Sequence, residues 1–341
     1  MPKQPNRPRR STLSVPGSSP KMIAKAATLP VDQVLLDLED AVAVDAKIDA
    51  RATVIEALNQ QRWTAHTVSL RINDVETQWC HEDIIDVVTQ AGEHLDTIIL
   101  TKAKSIGDVR FVHLLLDQLE RKLGLGKRIG IECLIEEVDG LMRAEEIAAC
   151  SDRIETLIFG VGDYAASQQM QLASVGSTEG YAGDLWHYPR FKMTIACRAN
   201  GIDPIDGPLA DFNDTDTLVL EAQRAQIVGM SGKWAIHPSQ VDPIQRVFTP
   251  SPERIAVARK QKAAYQQAQQ DGRGAISVDG VMVDAAAAVV KNNDDVTALV
   301  ATLAVNRTYK PRAPPPATAD ASFWSSPPVG MAVGLRASAA A

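Results

Sequence analysis

Short apolar runs recur along the chain, and one after another ends in a residue that can do chemistry. Eight of these runs read as β-strands, at roughly 12–16, 33–38, 67–72, 97–102, 128–135, 155–160, 202–206 and 233–237. Most are rich in Val, Ile or Leu without polar alternation, the pattern of strands covered on both faces. Helical periodicity fills the gaps. Lys47–Asn59 places Ile48, Ala52, Ile55 and Leu58 on one side, and Ser105–Leu123 gathers Val109, Val112, Leu116 and Leu119. Strands alternating with helices predict a parallel sheet. The polar strand ends are Asp37, Glu39 and Asp40 in VLLDLED, Arg71 and Asn73 in VSLRIN, and Lys102 in TIILTK. Further along they are Glu136 and Glu137 in IGIECLIEE, Asp163 in TLIFGVGD, Asp206 in DPIDG and His237 in KWAIHP. A (β/α)8 barrel builds its active site from such ends, at one mouth. The predicted fold class is therefore α/β, a TIM barrel.

One βα connection, Ala165–Asp184, is long, glycine-containing and polar. At the functional mouth it is expected to shape a substrate site. Beyond the eighth strand the pattern predicts a helix over about 252–270, then a hairpin turning at Asp279-Gly280. A last helix is expected to reach about Val305. Residues 307–341 are rich in Pro, Ala and Ser and read as a disordered tail. The expected organisation is a barrel over 1–270, a small module over 271–306 and a tail over 307–341.

Composition narrows the partners. Hydrophobic residues make up 45% of the 341, charged residues 23% and aromatics only 5%, so the core must rest on Val, Ile, Leu and Ala. The net charge of −7, with no basic stretch interleaved with aromatics, argues against nucleic-acid binding. An anionic ligand would need a local basic patch. Cys80, Cys133, Cys150 and Cys197 are far apart and form no CxxC pair, which speaks against a disulfide framework or structural zinc and suits a reducing, cytoplasmic setting. No apolar run reaches membrane-spanning length. The basic start MPKQPNRPRR has no apolar segment after it, so it is not read as a secretory signal. A short organelle transit segment is the alternative, with barrel structure expected from about Leu13.

Glu136 and Asp163 close consecutive predicted strands, which would bring two carboxylates within a few ångströms. Two such groups repel unless a cation or proton is shared. A hard cation such as Mg2+ accepts one or two carboxylates and keeps positions for substrate oxygens; the plain alternative is a solvated rim acid. Glu39 and Asp40 are read as groups that hold metal-bound water or orient basic side chains, with helix capping as the alternative for Asp40 or Asp45. Arg71 can clamp a carboxylate or a developing oxyanion through its fork, or pair with a rim acid. His237 is a candidate base or a loop-shaping residue. The other histidines show no ligand spacing. Ser14–Ser19 could offer backbone N–H groups to phosphate.

The chain resembles the citrate lyase β-subunit/HpcH aldolase superfamily, and within it the malyl-CoA/β-methylmalyl-CoA lyases, from about Arg10 to Val305. The resemblance is carried by RRSTLSVPGSSPKM, VLLDLEDAVAVDAKIDAR, VSLRIN, IILTK, LIEEVDGL, FGVGDYAAS, DLWHY, DPIDGPLADFND, GMSGKWAIHPSQV and VFTPS. It implies a TIM barrel assembled as a homotrimer or homohexamer, acting on an acyl-CoA and glyoxylate. It implies Mg2+ (or Mn2+) on Glu136 and Asp163, a substrate arginine at Arg71, and a catalytic Asp284 on a C-terminal lid exchanged between subunits. CoA would be held by Pro16, Gly17, Lys21 and Lys25, with Lys102, Ile236, His237 and Pro238 also lining the substrate side. Glu137 stands where Thr or Ser is usual, Ser19 where many relatives carry Arg, and AAAAVVKNN after Asp284 departs from the usual lid. The expected activity is reversible cleavage of (S)-malyl-CoA or β-methylmalyl-CoA to acetyl-CoA or propionyl-CoA and glyoxylate. The alternatives are a citramalyl-CoA lyase, a malyl-CoA thioesterase, a pyruvate-type aldolase without CoA, and a non-catalytic CoA-ester binding protein.

Overall fold

The computed structural model describes residues 7–172 and 183–285. Eight parallel strands close a barrel in sequence order. They are β1 (Ser11–Pro16), β2 (Gln33–Asp37), β3 (Thr67–Arg71), β4 (Thr97–Leu100), β5 (Gly130–Ile135), β6 (Ile154–Phe159), β7 (Asp203–Asp206) and β8 (Gly232–Ala235). β8 closes on β1 through Ser11↔Lys233 and Leu13↔Ala235. All eight fall where the apolar runs predicted them. The helices are α1 (Pro20–Ala27), α2 (Lys47–Gln60), α3 (Cys80–Ala91), α4 (Ile106–Leu123), α5 (Val138–Met142), α6 (Ala144–Ala149), α7 (Val161–Ser167), α8 (His187–Asn200), α9 (Thr215–Ile227), α10 (Val241–Phe248) and α11 (Pro252–Gln270). No helix among the described residues is long and apolar enough to cross a membrane.

The two-residue period of each strand sorts its side chains between the barrel interior and the helices. Leu35, Ile99, Leu134, Ile158, Ile205 and Trp234 form one apolar layer inside the barrel. Their neighbours Val34, Leu36, Ile98, Leu100, Cys133 and Leu157 pack outward in the larger helix-facing core. One step toward the N-terminal mouth, Glu132 accepts from Gln33 Nε2 at 2.9 Å and Thr97 Oγ1 at 2.7 Å. Buried Arg9 lies 3.7 Å from the same carboxylate and pairs with Glu155, plugging the bottom. One step toward the other mouth stand Asp37 and Arg71, and just beyond β5 comes Glu136.

The same period overturns one expectation. Asp206 does not face the mouth. Ile205 takes the interior position, so Asp206 turns outward beneath α8 and α9. There it accepts from Arg190 Nε at 2.9 Å and from Lys233 Nζ at 2.5 Å, and Glu221 pairs with the same arginine. Burial opposes its ionisation, but the two cations hold it below the usual carboxylate range. The network is structural.

α4 follows its predicted face, with Val109, Val112, Leu116 and Leu119 buried. Ser105 and Asp108 form a capping box at its start, and Gly124 ends it at φ +64°. α2 follows its prediction only in part, since Leu58 is buried and Ile55 packs on the core, but the other two residues turn away. Ile48 is 66% exposed and Ala52 is exposed, while Lys47, Ala50, Arg51, Val54, Ala57 and Leu58 are buried. Arg51 turns the helix: its guanidinium reaches Asp83 on α3 at 3.0 Å, and Lys47 Nζ donates to the Leu38 and Glu39 carbonyls. Two paired cations thus occupy positions that an apolar count assigns to the surface.

After α11 a two-stranded hairpin, β9 (Ala275–Val278) and β10 (Val281–Asp284), turns at Asp279-Gly280 as expected. Both turn residues have positive φ, 52° and 79°, which matches the right-handed twist of the strands. Val278 and Val283 pack on Tyr265 of α11. The barrel and the hairpin belong to one compact unit. The expected last helix, the tail 307–341 and residues 173–182 of the long loop lie outside the described residues.

Candidate active site

Asp37 and Arg71 sit opposite each other in the β2–β3 register. Nε and Nη2 of Arg71 grip the two oxygens of Asp37 at 2.8 and 2.5 Å. Asp37, fully buried, also accepts from the backbone N–H of Glu39 at 2.8 Å and of Ala41 at 3.3 Å. The remaining arm of Arg71 lies 3.1 Å from Glu39 and 3.7 Å from Asp40. The ring of Trp234 lies 5.8 Å from the guanidinium carbon. Burial opposes the arginine's charge, yet Asp37 and Glu39 hold its pKa above the usual value.

Lys102 follows β4 with a backbone φ of +49°, unusual for a residue with a side chain. That conformation turns its N–H to Glu136 Oε1 at 2.9 Å and its ammonium to Glu39 at 2.8 Å and Asp163 at 3.3 Å. One residue thereby joins acids from the ends of β2, β5 and β6. Glu39 is buried, but Arg71 and Lys102 keep it ionised, with its pKa lowered. Partial burial and the neighbouring Glu39 push Asp40 up to about 6.

Glu136 is 3% exposed. Burial pushes its carboxyl up to about 8, Asp163 adds to the rise, and Arg71 and Lys102 oppose it. Gly160 ends β6 beside it: a Cβ there would lie 2.3 Å from the Glu136 Cβ and 2.6 Å from Oε2. Asp163, in the first turn of α7, is the more open of the two acids, its side chain 41% exposed.

These residues fit a divalent cation. Asp37, Glu39, Glu136 and Asp163 carry four negative charges when ionised, against two positive ones on Arg71 and Lys102. Burial is the larger cause of the raised Glu136 pKa and the neighbouring Asp163 a smaller one, so a cation placed between the two acids would favour the ionised form. Among the described residues no three Asp, Glu, His or Cys side chains converge as a metal cluster. A cation held by Glu136 and Asp163 would take two carboxylates and leave positions for oxygens of substrate and water, a Mg2+-like donor set.

The other expected site residues lie around this centre or apart from it. Gly17, after β1, donates to the Asp37 carbonyl at 2.7 Å, and a Cβ there would sit 2.6 Å from that oxygen. Pro16 precedes it. Ser19 caps α1 by accepting from the Met22 N–H at 3.4 Å. Lys21 and Lys25 are exposed one turn apart on α1. Ile236, His237 and Pro238 are exposed just past β8. Nδ1 of His237 accepts from the Ser239 N–H at 3.2 Å, and its ring stacks on Phe212 at 4.7 Å. The geometry favours its loop-shaping role. Asp284 ends β10, half-buried, on the hairpin rather than in the strand-end cluster. Glu137 precedes α5 with its carboxylate 3.7 Å from Lys104, an ammonium it shares with Glu76 and Asp74.

Sequence reading placed Asp37 among the polar strand ends without giving it a role, and singled out neither Trp234 nor Gly160. The pairing of Asp37 with Arg71 was legible in principle, since counting β2 and β3 from their starts puts the two level. For Gly160 the sequence carries no signal beyond the glycine itself.

A family model described as HpcH/HpaI aldolase/citrate lyase matches residues 10–238. The chain is 41% identical over 295 residues to the L-malyl-CoA/β-methylmalyl-CoA lyase of Cereibacter sphaeroides, covering 84% of this chain and 93% of that one. It is 30% identical over 299 residues to the malyl-CoA/β-methylmalyl-CoA/citramalyl-CoA lyase of Chloroflexus aurantiacus, covering 82% and 85%. Among solved structures it is similar to the protein CitE from Mycobacterium tuberculosis in complex with magnesium, acetoacetate and coenzyme A. The TM-score is 0.68, with 28% identity over 85% of this chain and 97% of that one.

Proposed function

The chain belongs to the HpcH/HpaI aldolase/citrate lyase family, and from that premise we propose that it is a Mg2+-dependent carbon–carbon lyase. Its substrate would be (S)-malyl-CoA or β-methylmalyl-CoA, and its products acetyl-CoA or propionyl-CoA and glyoxylate. The observation that carries this reading is the mouth cluster: a clamped arginine and two acids just beyond successive strand ends, both reached by one bridging lysine.

Bound Mg2+ would supply Lewis-acid polarisation of the 2-oxoacid carbonyl. Glu136 and Asp163 would hold it, and Glu39 would orient its water or the neighbouring cations. Arg71, fixed by Asp37 and therefore needing no reorganisation, would stabilise negative charge growing on the carbonyl oxygen during condensation. Asp284, brought by a lid from a neighbouring subunit in a trimer or hexamer, would take a proton from the acyl-CoA carbon and return it on cleavage. Lys21 and Lys25, exposed on α1, would offer cationic contacts to CoA phosphates, and Pro16 and Gly17 would shape the turn beside them, the Gly17 N–H being taken by the Asp37 carbonyl. His237 would help shape the far rim.

The test is incubation of purified protein with acetyl-CoA, glyoxylate and Mg2+, with EDTA in parallel, and acyl-CoA products followed by mass spectrometry. Malyl-CoA formed only with metal supports the reading. Malate and free CoA would indicate added thioester hydrolysis. Unchanged acetyl-CoA, with propionyl-CoA equally inert, would overturn it.

A further inference from the structure

Lys102 does more than line the mouth. Its ammonium lies 2.8 Å from Glu39 and 3.3 Å from Asp163, one of the two carboxylates assigned to the divalent cation. Its backbone N–H binds the other, Glu136, at 2.9 Å. A left-handed backbone at a residue with a Cβ is strained, and such strain persists where the surroundings impose it. Here it lets one residue address both acids at once, through its main chain and its side chain.

We propose that Lys102 is a tethered counter-cation. It neutralises Asp163 and Glu39 while no divalent ion is bound, and it competes with that ion for Asp163. The ion and the ammonium repel, so binding would move Nζ off Asp163 and onto Glu39 alone. The main-chain bond to Glu136 is unaffected by that swing, so this acid stays aimed. Lys102 is then a positioning residue that sets metal affinity and keeps the empty mouth assembled.

The proposal rests on the metal assignment above, and its test reads binding instead of turnover. Mg2+ would be titrated calorimetrically into metal-free full-length wild type and Lys102→Met, which keeps the stem and loses the charge. The variant is expected to bind Mg2+ about tenfold more tightly or better. Its metal-free melting temperature should be lower, with a larger rise on adding Mg2+ than wild type shows. Lys102→Arg, retaining the charge, should stay close to wild type in affinity. Equal or weaker Mg2+ binding by a folded Lys102→Met, with wild type binding normally, would overturn this inference alone. Absence of Mg2+ binding by wild type would overturn both it and the metal assignment.

Discussion

Asp37→Asn tests whether Arg71 works because it is held. The substitution keeps the size of the side chain and removes the charge that grips Nε and Nη2 at 2.8 and 2.5 Å. Breaking a buried ion pair by neutralising one partner costs about 3–5 kcal/mol. Two features lower that figure here. The amide oxygen can still accept one bond, and Glu39 still faces the guanidinium at 3.1 Å. We therefore predict a stability loss of about 2–3 kcal/mol, read from urea unfolding followed by circular dichroism. The catalytic loss should be of similar size in free energy, about 2.7 kcal/mol for 100-fold. Freed on one side, the guanidinium is drawn toward Glu39, and a displacement of about 1 Å at a reacting centre costs on the order of 100-fold in rate. The expected result is a kcat about 100-fold lower in the acetyl-CoA plus glyoxylate assay, with little change in KM for acetyl-CoA. A kcat within about twofold of wild type, in a variant whose stability has fallen as predicted, would show that Arg71 needs no clamp and refute the reasoning.

Glu136→Gln and Asp163→Asn should each abolish Mg2+-dependent product formation while leaving the circular dichroism spectrum intact; substantial turnover in both would remove the metal assignment. Asp284→Asn should bind acetyl-CoA yet fail to exchange its methyl protons with D2O, and wild-type exchange by NMR would eliminate the lid base. Asp206 makes a prediction in pH. Its folded pKa is depressed, so its stabilisation is fully present above the unfolded value of about 3.9 and is lost as pH falls through the lower folded value. The gap in unfolding midpoint between wild type and Asp206→Asn should be widest near neutrality and narrow below about pH 4. A gap independent of pH would mean that the charge on Asp206 contributes nothing.

The barrel was legible because its strands are buried on both faces, and that requirement writes itself as uninterrupted Val, Ile and Leu. Arg71, Lys102, Glu136 and Asp163 were legible for a related reason: a charge at the end of such a run has nowhere to go but the mouth. Asp206 shows where that reasoning fails. DPID and VLLD both end in aspartate, yet one side chain points to the helices and the other into the barrel. The difference is a single residue of register, which the sequence does not mark. The half of α2 that was misread, Ile48 and Ala52, failed through its chemistry. Lys47 and Arg51 belong to the buried face because carboxylates and carbonyls on neighbouring elements receive them, and a periodicity count treats any cation as solvent-facing. The role of Lys102 was out of reach for a third reason, since it depends on a backbone angle no residue type announces.

Gly160 has no functional group, yet any side chain there would collide with Glu136. In a saturation mutagenesis screen scored by activity, position 160 should be as intolerant as the carboxylates themselves. Alanine, ordinarily the mildest replacement, should be about as damaging there as a far larger residue, because the obstruction begins at the first carbon. Gly17, packed against the Asp37 carbonyl, should behave alike. A map of the reaction drawn from such a screen would mark two places where no chemistry happens. They act through their neighbours, so raised Mg2+ should partly relieve a Gly160→Ala defect, which displaces a metal-holding acid, while leaving a loss of Arg71 unchanged.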